Sequence, residues 1–279
     1  MSLKLMYITN RPEVALIAEK NGVDRIFIDM EYIGKSKRQG NMDTVQNHHT
    51  IEDIKAVRSV ISRSELLVRI NPIHDATDDY CSSEDEIEKT IEAGADIIML
   101  PFFKTATEVQ RFLNGVHGRV KTMLLIETKE AVENLDSIMQ LEGIDEVHIG
   151  INDLSLSMGR KFMFELVTDG TVEEICHNLK KYKAPFGFGG IASLGHGKVP
   201  AEMIIKEHYW IGSYGAILSR SFCNVDKFDN LDAIEEIFFR GVREIRMLER
   251  ECASHTKYFT DNEKELKAAV DSVLAGMNG

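Results

Sequence analysis

The sequence predicts a single (β/α)₈ barrel, a closed parallel sheet surrounded by helices. Apolar runs rich in Ile, Val, Leu and Phe alternate with segments of helical period, which is the pattern of repeated strand–helix units. The 279 residues, 43% of them hydrophobic, can bury one large core, and such barrels reach this length as one domain. We therefore expect residues 1–225 to form the barrel and residues 226–279 to add helices that complete it and serve as an oligomer arm.

Each predicted strand is a short apolar run, and helices are expected between consecutive strands. The eight runs are Leu3–Ile8, Arg25–Glu31, Leu66–Ile70, Asp96–Leu100, Lys121–Ile126, Glu146–Ile151, Phe186–Ile191 and Ala216–Ser221. Local signals agree with this assignment: Pro12 suits a first helical turn, and Thr50 with Asp53 resembles a capping box. Gly22 and Gly94 are expected to close helices before strands.

The segment after the eighth strand predicts two further helices. Apolar residues over Leu231–Glu251 recur near the helical period, and a shorter helix is expected over Asn262–Ala275, after a link that contains His255 and Thr256. These helices exceed what eight units need. We therefore expect a homo-oligomer in which the apolar stripe of the first helix is buried between subunits.

Composition and charge narrow the classes of function. The formal net charge of -12 repels nucleic-acid phosphates and anionic headgroups, so neither nucleic acid nor a membrane surface is an expected partner. No apolar run reaches the roughly 20 residues of a membrane span, and the first residues lack the apolar core of a secretory signal, which favours a cytoplasmic protein. The four cysteines stand far apart, so reduced thiols are expected.

Charged residues that close apolar strands are the candidate functional residues, because the loops after the strands' carboxyl ends build the active site of such barrels. In order along the chain they are Asp29, Glu31, Arg69, Glu127, Asp153 and Arg220. Glu127 and Asp153 lie one strand–helix unit apart, and a carboxylate there is costly to bury alone. Two oxygen ligands with open positions for water and substrate suit Mg²⁺ or Mn²⁺; a structural salt bridge with Arg69 is the alternative.

The segments FIDMEY, LLVRINP, AGADIIMLPFF, LLIETKEAVENLD and IGINDLSLSMG resemble, in order and spacing, the HpcH/HpaI aldolase and citrate lyase family. The pairing of an ET-x-EA segment with a G-x-x-DLS-x-x-MG segment is the most specific part of this resemblance. It implies a pyruvate-type barrel with a divalent metal on Glu127 and Asp153, and Arg69 on the substrate's oxo oxygen. Asp29 and Glu31 are then expected to bind the metal's waters or Arg69, with helix capping as the alternative.

These features predict a class II aldolase or lyase that cleaves or forms a carbon–carbon bond next to pyruvate or a related 2-oxo acid, with an aldehyde as the second substrate. Metal and Arg69 would stabilise the negative charge that develops on the oxo acid. Backbone donors at Gly150, Asn152, Asp153 and Leu154 are expected to orient its carboxylate. Two alternatives stay open: a citrate-lyase-like or malyl-CoA-type acyl lyase, and a catalytically silent protein that binds metal and 2-oxo acid.

The general base is where the chain departs from the family pattern. Tyr32 stands where metal-dependent members have a histidine, and Leu125 stands where many have a glutamine. An ordinary tyrosine pKa of about 10 makes Tyr32 a poor base near neutrality, so we expect it mainly to shape the pocket. The candidate bases are His48, His49 and His74, or a hydroxide on the metal; solvent exposure is the alternative for each histidine.

Overall fold

The structure, a computed structural model, describes residues 2–34, 47–227, 230–254 and 258–277. Its strands are β1 Lys4–Ile8, β2 Arg25–Asp29, β3 Glu65–Arg69, β4 Ile97–Leu100, β5 Lys121–Ile126, β6 Glu146–Ile149, β7 Phe186–Ile191 and β8 Gly215–Leu218. They form a closed parallel barrel in which each strand pairs with its neighbours in sequence and β8 pairs with β1. The predicted fold class is confirmed, and every predicted strand overlaps an observed one.

Helices connect successive strands around the barrel. They are α1 Pro12–Lys20, α2 Ile51–Arg58, α3 Ser83–Glu92, α4 Ala106–Val116, α5 Lys129–Glu133, α6 Leu135–Met139, α7 Ile151–Ser157, α8 Glu165–Thr168, α9 Thr171–Lys181, α10 Ala201–Ile211, α11 Leu231–Ser254 and α12 Tyr258–Met277. Thr50 and Asp53 form the predicted capping box of α2, and Pro12 occupies the first turn of α1. Gly22 and Gly94, with φ of 87° and 103°, make the turns after α1 and α3.

The long helix α11 occupies the eighth helix position of the barrel. It packs against α10 and α1, and its apolar stripe is buried within the same chain: Ile234, Phe238, Val242 and Ile245. The expectation that this stripe is buried between subunits is wrong, because the eighth strand–helix unit uses it. The helix α12 packs on α10 and α8. His255 and Thr256 lie outside the described residues, and no described helix is both long and apolar enough to cross a membrane.

The barrel interior is layered by the alternation of side chains along each strand. Inward residues form an apolar middle layer that includes Met6, Phe27, Leu67, Ile97, Met99, Met123 and Leu125. Below it, the fully buried Arg25 donates two hydrogen bonds to Glu146, at 2.6 and 2.7 Å, and one to Glu65 at 2.9 Å. Above it, the next inward positions of β2, β3 and β5 carry Asp29, Arg69 and Glu127. The alternation therefore decides which strand-end residues face the barrel mouth.

Candidate active site

A cavity of about 510 Å³ opens at the carboxyl ends of the strands. Cavities of this size class hold small-molecule ligands. Its floor is the top of the apolar layer, and the charged and imidazole side chains in its lining are Arg11, Asp29, His49, Arg69, Glu127, His148, Asp153 and Arg220. Of the predicted site residues, the cavity brings together Asp29, His49, Arg69, Glu127, Gly150, Asn152 and Asp153.

Arg69 is held at the cavity by two buried carboxylates. Its Nε and Nη2 each donate to Asp29 at 2.8 Å, and its Nη1 lies 3.4 Å from Glu31 Oε2. The side chains of Asp29 and Glu31 are 1% and 0% exposed. Burial opposes the charge of Arg69, but the two carboxylates outweigh it and hold the pKa of Arg69 well above its ordinary value. Asp29 and Glu31 therefore form ion pairs with Arg69, which was one of the predicted alternatives.

Asp29 also organises the residues that follow the β2 loop. Asn47 Nδ2 donates to Asp29 Oδ2 at 3.0 Å, and the backbone N–H of Asp29 donates to His49 Nδ1 at 3.0 Å. Because a backbone amide can only donate, Nδ1 is the acceptor and neutral His49 carries its proton on Nε2. The prediction of His49 as a general base is therefore corrected, because its acceptor nitrogen is occupied, although the residue does line the cavity.

Glu127 follows β5, and its carboxylate is positioned by the backbone of a neighbouring loop. Its Oε1 accepts a hydrogen bond from the N–H of Phe102 at 2.9 Å. Phe102 has a φ of 50°, in the left-handed region that bulky residues rarely adopt. The other oxygen, Oε2, would lie 3.0 Å from a Cβ at Gly150, so the missing side chain leaves room for it.

The turn from β6 into α7 carries Asp153 and the predicted backbone donors. Asp153 is buried on the first turn of α7 and lines the cavity. Two of the predicted donors are committed elsewhere: the N–H of Gly150 donates to Ile126 O at 2.9 Å, and the N–H of Leu154 donates to Gly150 O at 3.0 Å. Leu154 is also fully buried outside the cavity lining. Substrate binding through these two amides is corrected, whereas Asn152 and Asp153 lie on the first turn of α7 and line the cavity.

Tyr32 is not among the residues that line the cavity, so its role in shaping the pocket stays a prediction. Its ring is 36% exposed and packs near the rings of Tyr80 and His48, with centroids 5.5 and 6.2 Å away. Asn71 Oδ1 accepts the backbone N–H of Tyr32 at 3.0 Å and fixes this orientation. Burial and the nearby Glu86 raise the pKa of Tyr32, which makes its phenolate still less available near neutrality.

The two remaining candidate bases also lie outside the lining. His74 Nδ1 lies 2.8 Å from Pro72 O and its Nε2 lies 2.8 Å from Cys81 O, so the ring ties together its own loop. His48 is exposed beside Tyr32, which agrees with solvent exposure as its alternative role. Neither histidine lines the cavity, and both are corrected as candidate bases.

Two cavity residues were missed by the sequence analysis as site residues. His148 points inward from β6, and its Nε2 lies 3.2 Å from Gly189 O. Burial lowers the pKa of His148 to about 4, so the imidazole is neutral at pH 7. Its place in the alternation, two residues after the inward Glu146, was the signal that could have found it. The second missed residue is Arg11, which carried no signal because it lies in the loop before α1. Arg220 was recognised, but only as a strand-end charge.

The sequence profile of the HpcH/HpaI aldolase/citrate lyase family matches residues 4–165. The chain is 28% identical over 119 residues to a hydroxypyruvate/pyruvate aldolase of Rhizorhabdus wittichii, which covers 33% of this chain and 47% of that protein. It is 24% identical over 176 residues to a 2-keto-3-deoxy-L-rhamnonate aldolase of Salmonella paratyphi B, covering 52% of this chain and 58% of that protein. The chain thus spans about half the length of the curated relatives it matches.

Solved structures with the same fold are more distant in sequence. An HpcH/HpaI aldolase from Desulfitobacterium hafniense superposes with a TM-score of 0.60 at 17% identity, covering 88% of this chain and 93% of that chain. The citrate synthase SbnG superposes with a TM-score of 0.56 at 18% identity, covering 81% and 89%. At these identities the superpositions show the shared barrel fold alone.

Proposed function

Because the chain belongs to the HpcH/HpaI aldolase/citrate lyase family, we propose that it is a divalent-metal-dependent aldolase that cleaves or forms a carbon–carbon bond next to pyruvate or a related 2-oxo acid. The observation that carries the proposal is the convergence of Arg69, Glu127 and Asp153 on one cavity. These side chains come from three different elements, β3, β5 and α7, and combine a fixed cation with two buried carboxylates. The names of the aldolase relatives support a 2-oxo acid as the substrate class.

The donor set fits a hard divalent cation. Glu127 and Asp153 are 3% and 8% exposed, and hard cations such as Mg²⁺ and Mn²⁺ prefer carboxylate oxygens. The space beside Gly150 accommodates Glu127 Oε2 next to the cavity. Within the described residues no group of three His, Cys, Asp or Glu is arranged to hold a metal, so these two carboxylates would hold it with substrate and water as further ligands. When bound, the ion supplies Lewis-acid stabilisation of negative charge.

Arg69 is the residue that we assign to the substrate's oxo oxygen. Cleavage of the bond between the carbon next to the oxo group and the hydroxyl-bearing carbon leaves its electron pair on the 2-oxo acid fragment, and negative charge develops on the oxo oxygen. Asp29 and Glu31 already hold the guanidinium, so it needs little reorganisation when this charge appears. Protonation of the fragment at carbon then yields the free 2-oxo acid.

His49 is assigned as a proton-bearing donor in the same reaction. Its Nδ1 accepts the amide of Asp29, which leaves the proton on Nε2. This tautomer can hydrogen-bond to substrate oxygen but cannot take the proton of the substrate's hydroxyl group. Of the predicted proton acceptors, the hydroxide that a bound divalent ion would supply therefore remains.

A catalytically silent protein that binds metal and 2-oxo acid is the second candidate. The observations that favour it are the position of Tyr32 outside the cavity lining and the occupied acceptor nitrogen of His49. Both residues are thereby removed as proton acceptors. Both candidate functions use the metal and Arg69, and measurable turnover distinguishes the aldolase from the silent protein.

The test measures pyruvate release from a panel of 4-hydroxy-2-oxo acids after metal removal, with and without added Mg²⁺ or Mn²⁺. We expect turnover only with metal, and a loss of about a thousandfold or more in Glu127→Gln and Asp153→Asn, because each would remove a ligand of the ion. Glu133→Gln on the exposed face of α5 is the matched control and should retain activity. Metal-dependent pyruvate binding without turnover favours the silent protein, and absence of both contradicts both candidates.

We also propose that the chain forms a homo-oligomer. The large apolar side chains Trp210, Phe239 and Met247 are each more than half exposed on α10 and α11. Large exposed apolar side chains that form a continuous patch are typical of a surface that packs against a partner. A second copy of this chain is the partner we propose, and sedimentation velocity at micromolar concentration tests it, with a stable monomer as the contradicting result.

A further inference from the structure

Apart from Arg69, which is paired with Asp29, the charged side chains of the cavity are divided between two sides. The lining carboxylates, Asp29, Glu127 and Asp153, come from β2, the end of β5 and the start of α7. Arg11 and Arg220 come from the loops after β1 and β8, which are neighbouring strands. Within the described residues, no Asp or Glu of the lining comes from the β1 and β8 side. One side therefore suits a cation and the other suits an anion.

Arg11 lines the cavity on this second side. It lies immediately before α1, and its Nε donates to Glu13 Oε1 at 2.8 Å. That pair is partly exposed and contributes little to stability. Within the described part of the chain, its two terminal amino groups have no hydrogen-bond partner. A guanidinium in this state can bind the two oxygens of a carboxylate or phosphate.

Neutral polar residues line the same part of the cavity as the two arginines. The lining on this side includes the residues Ser219, Ser221 and Asn224, together with Asn10, whose Nδ2 donates to Asp53 Oδ1 at 3.2 Å. Hydroxyl and amide groups are donors that can complete the hydrogen bonding of an anion without adding negative charge. Two arginines with such groups between adjacent loops have the chemistry of an oxyanion-binding site.

Because the protein is negatively charged overall, a local group of positive side chains favours the binding of an anionic ligand. A protein with a formal charge of -12 repels an anionic ligand at long range, and positive side chains at the mouth reverse the field locally. The cavity volume of about 510 Å³ is also in the range of ligands much larger than a three-carbon acid. A substrate bound at Glu127 and Asp153 therefore has room to extend across the barrel mouth.

We infer that Arg11 and Arg220 form a second anion-binding subsite, which holds a carboxylate or phosphate at the end of the substrate remote from its 2-oxo acid group. This inference rests on the proposed function, because it places the 2-oxo acid at the opposite side of the cavity. It specifies the substrate class: an aldehyde, and the corresponding aldol product, with a terminal anionic group.

The first test measures binding and needs no turnover. The probes are 2-oxoadipate and 2-oxohexanoate, which have the same chain length and differ in the distal carboxylate, titrated calorimetrically in the presence of Mn²⁺. We expect the wild type to bind 2-oxoadipate about tenfold or more tightly, since hydrogen bonds to charged groups have this order of energy. Arg220→Gln and Arg11→Gln should each reduce this ratio towards one. Arg240→Gln, an exposed arginine on α11, is the matched control.

The second test separates the two anions. Pyruvate addition is measured with glyceraldehyde 3-phosphate against glyceraldehyde, and with 4-oxobutanoate against butanal. A preference for the anionic aldehyde over its neutral analogue, in one of these two pairs, identifies the terminal group if the preference depends on Arg220. Equal binding of the two calorimetric probes by the wild type, or an unchanged ratio in both arginine variants, would overturn the subsite. Turnover without such a preference contradicts the subsite alone, whereas a preference in binding without any turnover contradicts the aldolase and retains the subsite.

Discussion

The backbone amide of Phe102 donates a hydrogen bond to Glu127 Oε1 at 2.9 Å while Phe102 adopts a φ of 50°. A left-handed conformation at a bulky residue costs roughly 1 kcal/mol or more, and such strain is common at functional sites. Here the strained residue directs its N–H at the carboxylate that we assign to the metal. Phe102 is therefore a positioning residue for Glu127, acting through its backbone.

Substitutions at Phe102 should separate the backbone conformation from the side chain. Asparagine tolerates the left-handed region, whereas a β-branched residue resists it. We expect Phe102→Asn to keep the Mn²⁺ affinity of the wild type, and Phe102→Val to weaken it about tenfold while lowering the free energy of unfolding by about 1–2 kcal/mol. Calorimetry and urea unfolding measure the two quantities. Equal Mn²⁺ affinities in the two variants would show that the conformation does not position Glu127.

The acid–base assignment predicts different effects for Tyr32 and His49. Tyr32→Phe should retain most of kcat, because the phenol lies outside the cavity lining and its pKa is raised. His49→Phe should lower kcat by about 10² or more, since it removes a proton donor from the cavity. Steady-state kinetics on an active 4-hydroxy-2-oxo acid gives both values. A large loss in Tyr32→Phe, with metal and pyruvate binding intact, would instead make Tyr32 the acid–base residue.

The buried Arg25 should be important for stability. Its guanidinium is paired with Glu146 and Glu65 beneath the apolar layer of the barrel. Removing one partner of a buried ion pair leaves an uncompensated charge, so Arg25→Met should lower the free energy of unfolding by about 3–5 kcal/mol. The double variant Arg25→Met with Glu146→Leu should recover part of this loss in urea unfolding. No recovery would argue that packing of the long side chain, and not charge, dominates.

Glu19 should make folding stability depend on pH. Burial opposes its charge, but the amides of Ser64 and Ser62 donate to its carboxylate at 2.7 and 2.9 Å, and the pKa of Glu19 is lowered. A lowered folded-state pKa stabilises the fold above the unfolded-state pKa, and this stabilisation is lost as the pH falls through the folded-state value. The stability difference between wild type and Glu19→Gln should therefore be constant near neutral pH and shrink in acid, as followed by urea unfolding. A difference that does not change with pH would contradict this.

The sequence alone determined the barrel and several of the charged residues at its mouth. Side chains two residues apart on a strand point to the same side of the sheet. Once one of Arg25, Phe27 and Asp29 on β2 is placed inward, the other two are therefore inward as well. Because the carboxyl ends of parallel strands meet at one face of the barrel, the strand-end residues Arg69 and Glu127 were predicted to lie at the same active site. These are local regularities of the backbone, and they need no knowledge of loop paths.

Only the tertiary structure decided what the loop histidines and the C-terminal stripe do. His49 and His74 both follow strands, yet one lines the cavity and the other is held by Pro72 and Cys81 carbonyls. No periodic pattern constrains the path of an irregular loop, so sequence cannot say where its side chains point. The stripe on α11 likewise indicates burial but not what covers it, because an apolar face packs equally well on its own barrel or on another subunit.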